Sequence, residues 1–337
     1  MRFGILKRDE SEGVPMKKVL LASTVAIWAA FSFVSAWSQD FPVRPLRLAT
    51  IFAPGSASDV HARFIAQKLT AQLGQTVVVD NRPGAGGLVA TRDVIRSQPV
   101  GYSMLYTTPE VVGNVFAYKD PQYKLDDLAL VGPFAVGCYA MIIHTSVPAR
   151  TVAEFVTYAK ANPGKLNYGS LGASSGSTIN AERFKQAAGI DMVMIPFKGG
   201  DPVATALLAG DIQVYFATLY TARIRMRNAQ IRGLALASEH RIKSVPELPT
   251  FKELGYPTVS LVYWSAVFVP AAAPRPIVQR LQDAMSKFTS AAETKEVLAR
   301  QDIETWSGTL DQFSTFIRAE GASLAADYKR LNIPLLD

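Results

Sequence analysis

Twice along this chain a short strand-like run ends in a small, polar, glycine-containing loop, and each loop opens a helical pattern. The first loop is Phe52-Ala53-Pro54-Gly55-Ser56-Ala57-Ser58-Asp59, and the second is Gly169-Ser170-Leu171-Gly172-Ala173-Ser174-Ser175-Gly176-Ser177-Thr178. Small residues leave backbone N–H groups bare at a helix N-terminus. Such a terminus holds an anion by its amides and by the helix dipole, with no charged side chain required. Two of them, about 115 residues apart, fit two lobes closing on one small anionic ligand. The alternative is a pair of ordinary turns between strand and helix.

The surrounding pattern fixes the fold class. Leu46–Phe52 is strand-like, and Val60, Phe64, Ile65, Leu69 and Leu73 recur at helical spacing. Thr76–Asp80, Gly87–Ser97 and Tyr102–Tyr106 then read as strand, helix and strand. A second series begins near Cys138. Thr151 caps a helix that Asn162-Pro163-Gly164 stops, and Leu166–Gly169 feeds the second loop. Thr178–Ala188, Met192–Phe197, Pro202–Ala209, Ile212–Phe216 and Ile231–Ser238 continue the alternation. Pro246, Pro249 and Pro257 mark a loop-rich connection, and Arg275–Ala291 and Leu310–Leu331 are amphipathic terminal helices. Alternation of this kind predicts an α/β protein with mainly parallel sheets flanked by helices. Ligands of such sheets bind at the carboxyl ends of the strands, where both loops lie.

Composition narrows the class further. The 337 residues suffice for two domains, and 49% hydrophobic with 19% charged residues is a foldable globular balance. Net charge is +7; the first 38 residues hold five basic and three acidic side chains, which leaves +5 on the rest. That excess is spread out, so nucleic acid is not an expected partner, while a mildly basic surface suits anionic solutes. Lys17-Lys18, the apolar run Val19–Val34 and the small residues Ser35, Ala36 and Ser38 form an export signal, with cleavage near residues 36–38 and a periplasmic destination. The start can equally be Met16, with residues 1–15 as an extension, and an uncleaved anchor is the alternative to cleavage. Cys138 is the sole cysteine, so no intrachain disulfide forms, and a buried inert thiol is expected. His61, His144 and His240 are isolated, and no zinc, P-loop, dinucleotide or nucleophile-elbow motif occurs. Neither catalysis, a metal nor a cofactor is therefore expected.

With these motifs in order, the chain resembles the substrate-binding proteins of tripartite tricarboxylate transporters, also called the Bug family. The resemblance starts at Phe41-Pro42-Val43-Arg44-Pro45 and runs to the C-terminus. It rests on Pro54–Asp59 with Ala62-Arg63, on Asp80-Asn81-Arg82-Pro83-Gly84-Ala85-Gly86-Gly87, on Gly101-Tyr102 and on Thr107-Thr108. Leu166–Ser170 with Gly172, Glu182 and Phe184-Lys185, then Pro196-Phe197-Lys198-Gly199 and Pro246–Thr250 with Glu253-Leu254-Gly255, complete the order.

The resemblance implies a two-lobed, type II-like periplasmic binding protein with an interlobe cleft, a monomer that captures a small carboxylate for a membrane permease. Residues 39–136 and 264–337 would form lobe 1 and residues 137–263 lobe 2. It assigns Gly55, Ser56, Ala57, Ser58 and Asp59 to one side of the cleft and Gly172, Ala173, Ser174, Ser175 and Gly176 to the other, with Thr108 nearby. The chain departs from the family pattern at Ala217, where an aspartate usually ends the strand. That departure disfavours an amino-acid ligand unless Glu110 replaces the charge; a solvated loop carboxylate is the other reading of Glu110. Tyr220 and Trp264 are candidates for an aromatic wall, or equally for packing. A periplasmic sensor and a secreted hydrolase are the rival functions.

Overall fold

Among the described residues, ten strands form two five-stranded sheets. The computed structural model describes residues 41–331, 333 and 335–337, so the export signal lies outside the described residues. Everything below belongs to the unit Arg44–Asp337.

The first sheet begins with β1 (Leu46–Thr50), β2 (Val77–Asn81) and β3 (Ser103–Thr107). Between them run α1 (Ala57–Leu73) and α2 (Leu88–Ile95), so β1 pairs parallel with both β2 and β3. Two strands complete it: β4 (Leu128–Gly137), which follows α3 (Glu110–Ala117), and β10 (Tyr263–Pro270). The order is β2-β1-β3-β10-β4, with β10 antiparallel to β3 and to β4.

The second sheet repeats the plan. Its strands are β5 (Tyr139–His144), β6 (Asn167–Ser170), β7 (Val193–Pro196), β8 (Val214–Thr218) and β9 (Ile231–Ala237), in the order β7-β6-β8-β5-β9. The helices α4 (Val152–Ala161), α5 (Gly176–Ala188), α6 (Gly200–Ala209) and α7 (Leu219–Arg225) alternate with them. Strand β6 is parallel to β7 and β8, while β5 is antiparallel to β8 and β9. Each sheet thus has the parallel βαβ core that the alternation predicts. Each also has one antiparallel strand next to its edge, because β5 and β10 are where the chain arrives from the other sheet.

The transfers are abrupt. Strand β4 ends at Gly137 and β5 begins at Tyr139, so the single apolar run Val136–Ile143 serves both sheets. The return strand β10 is buried at all eight positions. Three C-terminal helices follow: α8 (Arg275–Thr289), α9 (Ala292–Ala299) and α10 (Leu310–Arg330). Helix α10 packs on α3 and β4. No described helix is long and apolar enough to cross a membrane.

One buried cluster joins both sheets' elements. It holds Ala49, Leu105, Trp264, Phe313 and Tyr328 together with Ala173 and Ile179 from the second loop and α5. The second sheet has its own cluster, with Cys138, Ala140, Val203, Leu207, Ala217 and Leu236. Burial pushes the Cys138 thiol up to about 12, with Asp302 adding to the effect, so the thiol is buried and stays protonated.

Candidate functional site

The two loops are conformational twins. Ser56 caps α1: its hydroxyl accepts from the Asp59 N–H at 3.2 Å and donates to the Ala53 carbonyl at 2.9 Å. Ser175 caps α5 in the same way, accepting from the Thr178 N–H at 3.3 Å and donating to the Gly172 carbonyl at 2.9 Å. Gly55 and Gly172 carry positive φ, +81° and +113°, with open space where a Cβ would sit. The demand for glycine there is a backbone demand and not one of volume.

Their electrostatics differ. In the first loop the third residue of the helix is Asp59, whose buried carboxylate accepts from the Gly55 N–H at 2.9 Å, Asn81 Nδ2 at 2.7 Å and Arg63 Nε at 2.9 Å. Burial pushes this carboxyl up, but the bonds from Asn81, Gly55 and Arg63 outweigh it and hold it below the usual carboxylate range. The N-terminus of α1 therefore already has an anion, supplied by the chain itself. Ala57 is exposed, and the half-buried Ser58 bonds through its hydroxyl to the Tyr263 phenol.

In the second loop the corresponding residue is Thr178, and the first turn of α5 holds no acid. Thr178 Oγ1 bonds to the hydroxyls of Ser170 at 2.7 Å and Ser175 at 2.9 Å. Ser174, Ser175 and Ser177 are all buried. The Ser177 hydroxyl has no hydrogen-bond partner among the described residues. The positive end of α5 is thus buried, uncompensated and equipped with a spare hydroxyl. The Tyr139 hydroxyl closes against it: a Cβ on Gly176 would come within 2.5 Å of that oxygen. Burial first, then the nearby Glu110 carboxyl, raises the Tyr139 pKa well above its ordinary value, so the phenol remains a donor.

A third segment meets the second loop. Pro109 precedes α3, and Glu110 is the first residue of that helix. The Glu110 carboxylate accepts a short hydrogen bond from the Thr108 hydroxyl. One turn on, Gly113 lies so close to the second loop that a Cβ would sit 2.7 Å from the Ser174 carbonyl oxygen. Gly86 faces the same serine, with 3.2 Å from its ideal Cβ position to Ser174 Oγ. Asn114 Nδ2 donates to the Gly86 carbonyl at 2.8 Å and so ties the glycine-rich turn to α3.

More bonds gather beside this point, the last two of them reaching from α5 and its loop to α10. Asn180 on α5 pairs with Leu261 through both its side-chain atoms, at 2.9 and 3.1 Å. Tyr328 on α10 donates to the Ala173 carbonyl at 2.8 Å. Arg183 on α5 forms a buried ion pair with Asp327 on α10 at 2.6 Å and bonds to Ser323 at 3.0 Å.

The sequence-derived candidates separate accordingly. Gly55, Ser56 and Asp59 shape the first loop with their polar groups engaged, Ala57 faces outward, and Ser58 rests on Tyr263. Gly172 and Ser175 shape the second loop, Ala173 packs in the joint cluster, Ser174 lies against Gly113 and Gly86, Gly176 against the Tyr139 hydroxyl, and Thr108 and Glu110 bond to each other. Ala217 is fully buried on β8 among apolar side chains. Trp264 is also fully buried; its Nε1 donates to Glu320 at 2.6 Å and its ring stands edge-on to Phe313, so it is packing. Tyr220 is half-buried on α7. The aromatic pair at the junction is Tyr139 with Tyr263, centroids 6.5 Å apart. Sequence reading missed these two tyrosines, Gly113, Ser177 and Asn180. Ser177 alone had a local signal, its place in the first turn of α5.

Two mixed sheets, each with a glycine-containing loop that opens a helix, form the two-lobed fold of a solute-binding receptor. The family described as the tripartite tricarboxylate transporter family receptor matches residues 61–332, and the chain belongs to that family, as its motif order implied. A UPF0065 protein of Bordetella pertussis is 30% identical over 307 residues, covering 90% of this chain and 94% of that protein. The solved structure of R. palustris Rpa4515 with adipate superposes with a TM-score of 0.81 at 27% identity, covering 88% of this chain and all of that one. The periplasmic binding protein BugD gives 0.78 at 25% identity, with the same coverage.

Proposed function

We propose that this chain is exported, loses its leader near residues 36–38 and works in the periplasm as a monomeric receptor that captures a small carboxylate and presents it to a tripartite-type membrane permease. It acts by binding alone, with lobe 1 formed by residues 39–136 and 264–337 and lobe 2 by residues 137–263. The observation that carries this reading is the N-terminus of α5: buried, free of acidic side chains, and holding the partnerless Ser177 hydroxyl beside the protonated Tyr139 phenol. Amides, hydroxyls and a helix dipole suffice to hold a carboxylate where no cation is present. The relative that binds adipate supports the ligand class.

A thermal-shift screen of organic acids, aromatic acids and amino acids tests it, since a ligand of the folded state raises the melting temperature. Hits should carry a carboxylate, and Ser177→Ala should weaken the best of them by about ten- to a hundredfold, the effect of one lost hydrogen bond to a charged group. Hits confined to uncharged solutes would sink the reading.

A further inference from the structure

The first sheet has a second opening, at the strand ends opposite the loop that caps α1. A cavity of about 610 Å3 lies there, against the amino ends of β1 and β3. That volume is in the range of small-molecule pockets. Its floor is a row of side chains across the sheet: Val78 on β2, Arg47 on β1 and Ser103 on β3 stand in register. Helix α2 meets this face through Asp93, which pairs with Arg47 at 2.6 Å. That helix has only eight residues, about 12 Å, against about 16 Å for the five-residue strands. The face is left partly bare, and Val78 is 52% exposed. Pro45 and Val100 complete an aliphatic wall around it.

Three charged side chains line the cavity, and two of them are already matched. Arg47 pairs with Asp80 at 3.1 Å as well as with Asp93, and Arg82 pairs with the same two aspartates at 2.7 and 3.0 Å. Two arginines and two aspartates thus cancel. Arg47 Nη2 also donates to Ser103 Oγ at 3.3 Å, which leaves the Ser103 proton free to be donated. The third charge is Arg44, which has no ion pair among the described residues. Its guanidinium lies over the Tyr102 ring, 4.0 Å from the centroid. Pro45 holds the Arg44 backbone extended, and the ring supports the side chain, so the fork is set in place before any ligand arrives. Stacking occupies the face of the guanidinium and leaves its N–H edge for an anion. The Arg44-Pro45 and Gly101-Tyr102 motifs, 57 positions apart from Arg44 to Gly101, meet here and take no part in the two loops.

We infer that this cavity is a second binding site, separate from the loops, for an aliphatic monocarboxylate whose charge meets Arg44 and whose chain lies on Val78 and Val100. One unmatched positive charge calls for one negative charge; a dianion would set its second charge near Asp80. The Tyr102 ring face is taken by Arg44, so the body of the ligand meets aliphatic side chains. The inference does not depend on what binds at α5.

Amide shift mapping by NMR on the labelled mature chain, titrated with hexanoate at neutral pH, tests this. Hexanoate should shift the amides of Arg47, Val78, Val79 and Ser103 saturably, whatever it does at the second loop. Three comparators separate the parts of the claim: hexanamide lacks the charge, acetate lacks the chain, and hexyl phosphate carries a second charge. Each should bind at these amides at least about tenfold more weakly than hexanoate, for want of a charged hydrogen bond or of buried methylenes. Arg44→Gln should weaken hexanoate there by at least about tenfold, the effect of lost hydrogen bonds to a charged group. Added salt should weaken it too, because Arg44 is exposed. The inference is overturned if these amides do not move, or if hexanoate moves only those of the second loop. It is overturned equally if hexanamide or hexyl phosphate matches hexanoate, or if Arg44→Gln binds like the wild type. In none of these cases does the reading of α5 change. The mapping itself needs no variant, so an Arg44→Gln protein that failed to fold would leave the question decidable.

Discussion

Residue by residue, the site divides into groups that build it and groups left over for a ligand. Ser175 belongs to the builders: its hydroxyl holds the Gly172 carbonyl, the Thr178 N–H and the Thr178 hydroxyl at once. Ser175→Ala should therefore cost about 1 kcal/mol of stability in the ligand-free protein, as lost helix caps do, and urea denaturation will show it. An unchanged midpoint would mean that the hydroxyl is free for the ligand instead. Sequence alone could not separate this serine from Ser174 or Ser177. The three share one composition, and only the turn geometry decides which hydroxyl points back at the chain. Glu320 is a second buried acid with a measurable signature. Burial raises its pKa to about 8, against smaller lowering effects from the Trp264 N–H and Arg183. From about pH 5 to about pH 8 the folded protein keeps a proton that the unfolded chain has released. Its contribution to stability is complete on the acid side and is lost as pH rises through that window. Wild-type stability should fall across this interval, and Glu320→Gln should flatten the slope; parallel profiles would contradict the assignment.

At the level of elements, glycine decides how closely the lobes can meet. Gly113 occupies the middle of α3, where alanine would ordinarily stabilise a helix by about 0.5–1 kcal/mol. Here the new methyl would press on the Ser174 carbonyl at 2.7 Å, a backbone atom with no room to yield. Gly113→Ala should thus leave the first lobe folded while holding the second loop away. Ligand affinity should fall, and small-angle scattering should show a larger ligand-free particle. Wild-type affinity in this variant would mean that the contact plays no part in binding. The helices bearing the loops were legible in the sequence. Capping brings α1 and α5 forward to Ala57 and Gly176 from the expected Val60 and Thr178, because their patterns were read from apolar spacing alone. Helix α3 was not foreseen: Thr107-Thr108-Pro109 reads as a loop, and eight residues give too little periodicity to overrule it. Strand β10 was equally hidden, since a strand buried on both faces shows no alternation. Val136–Ile143 is one apolar run, and nothing in its composition marks Cys138 as the point where the chain changes sheets.

For the molecule as a whole, the question is what holds the lobes together. The joint apolar cluster and the Tyr328–Ala173 bond contribute, but the buried contact with the sharpest directional demand is Arg183 with Asp327 and Ser323. It ties α5, whose N-terminus is the proposed anion site, to α10, which packs on the first lobe. Both charged side chains are nearly inaccessible, 6% and 7% exposed, so salt should screen the pair little. Removing one partner of such a pair typically costs about 3–5 kcal/mol. Here the loss should be smaller, because Asp327 also has the half-exposed Arg330 at 2.9 Å. Arg183→Met keeps much of the volume and removes the bridge. It touches none of the proposed ligand-binding groups, so any loss of affinity must come through the lobes' relative position. The expected outcome is an increase in the ligand-free radius of gyration and weaker binding, with contraction on ligand addition preserved. If the variant scatters and binds like the wild type, the pair merely fastens α10 to α5, and closure depends on the ligand and the glycine contacts alone.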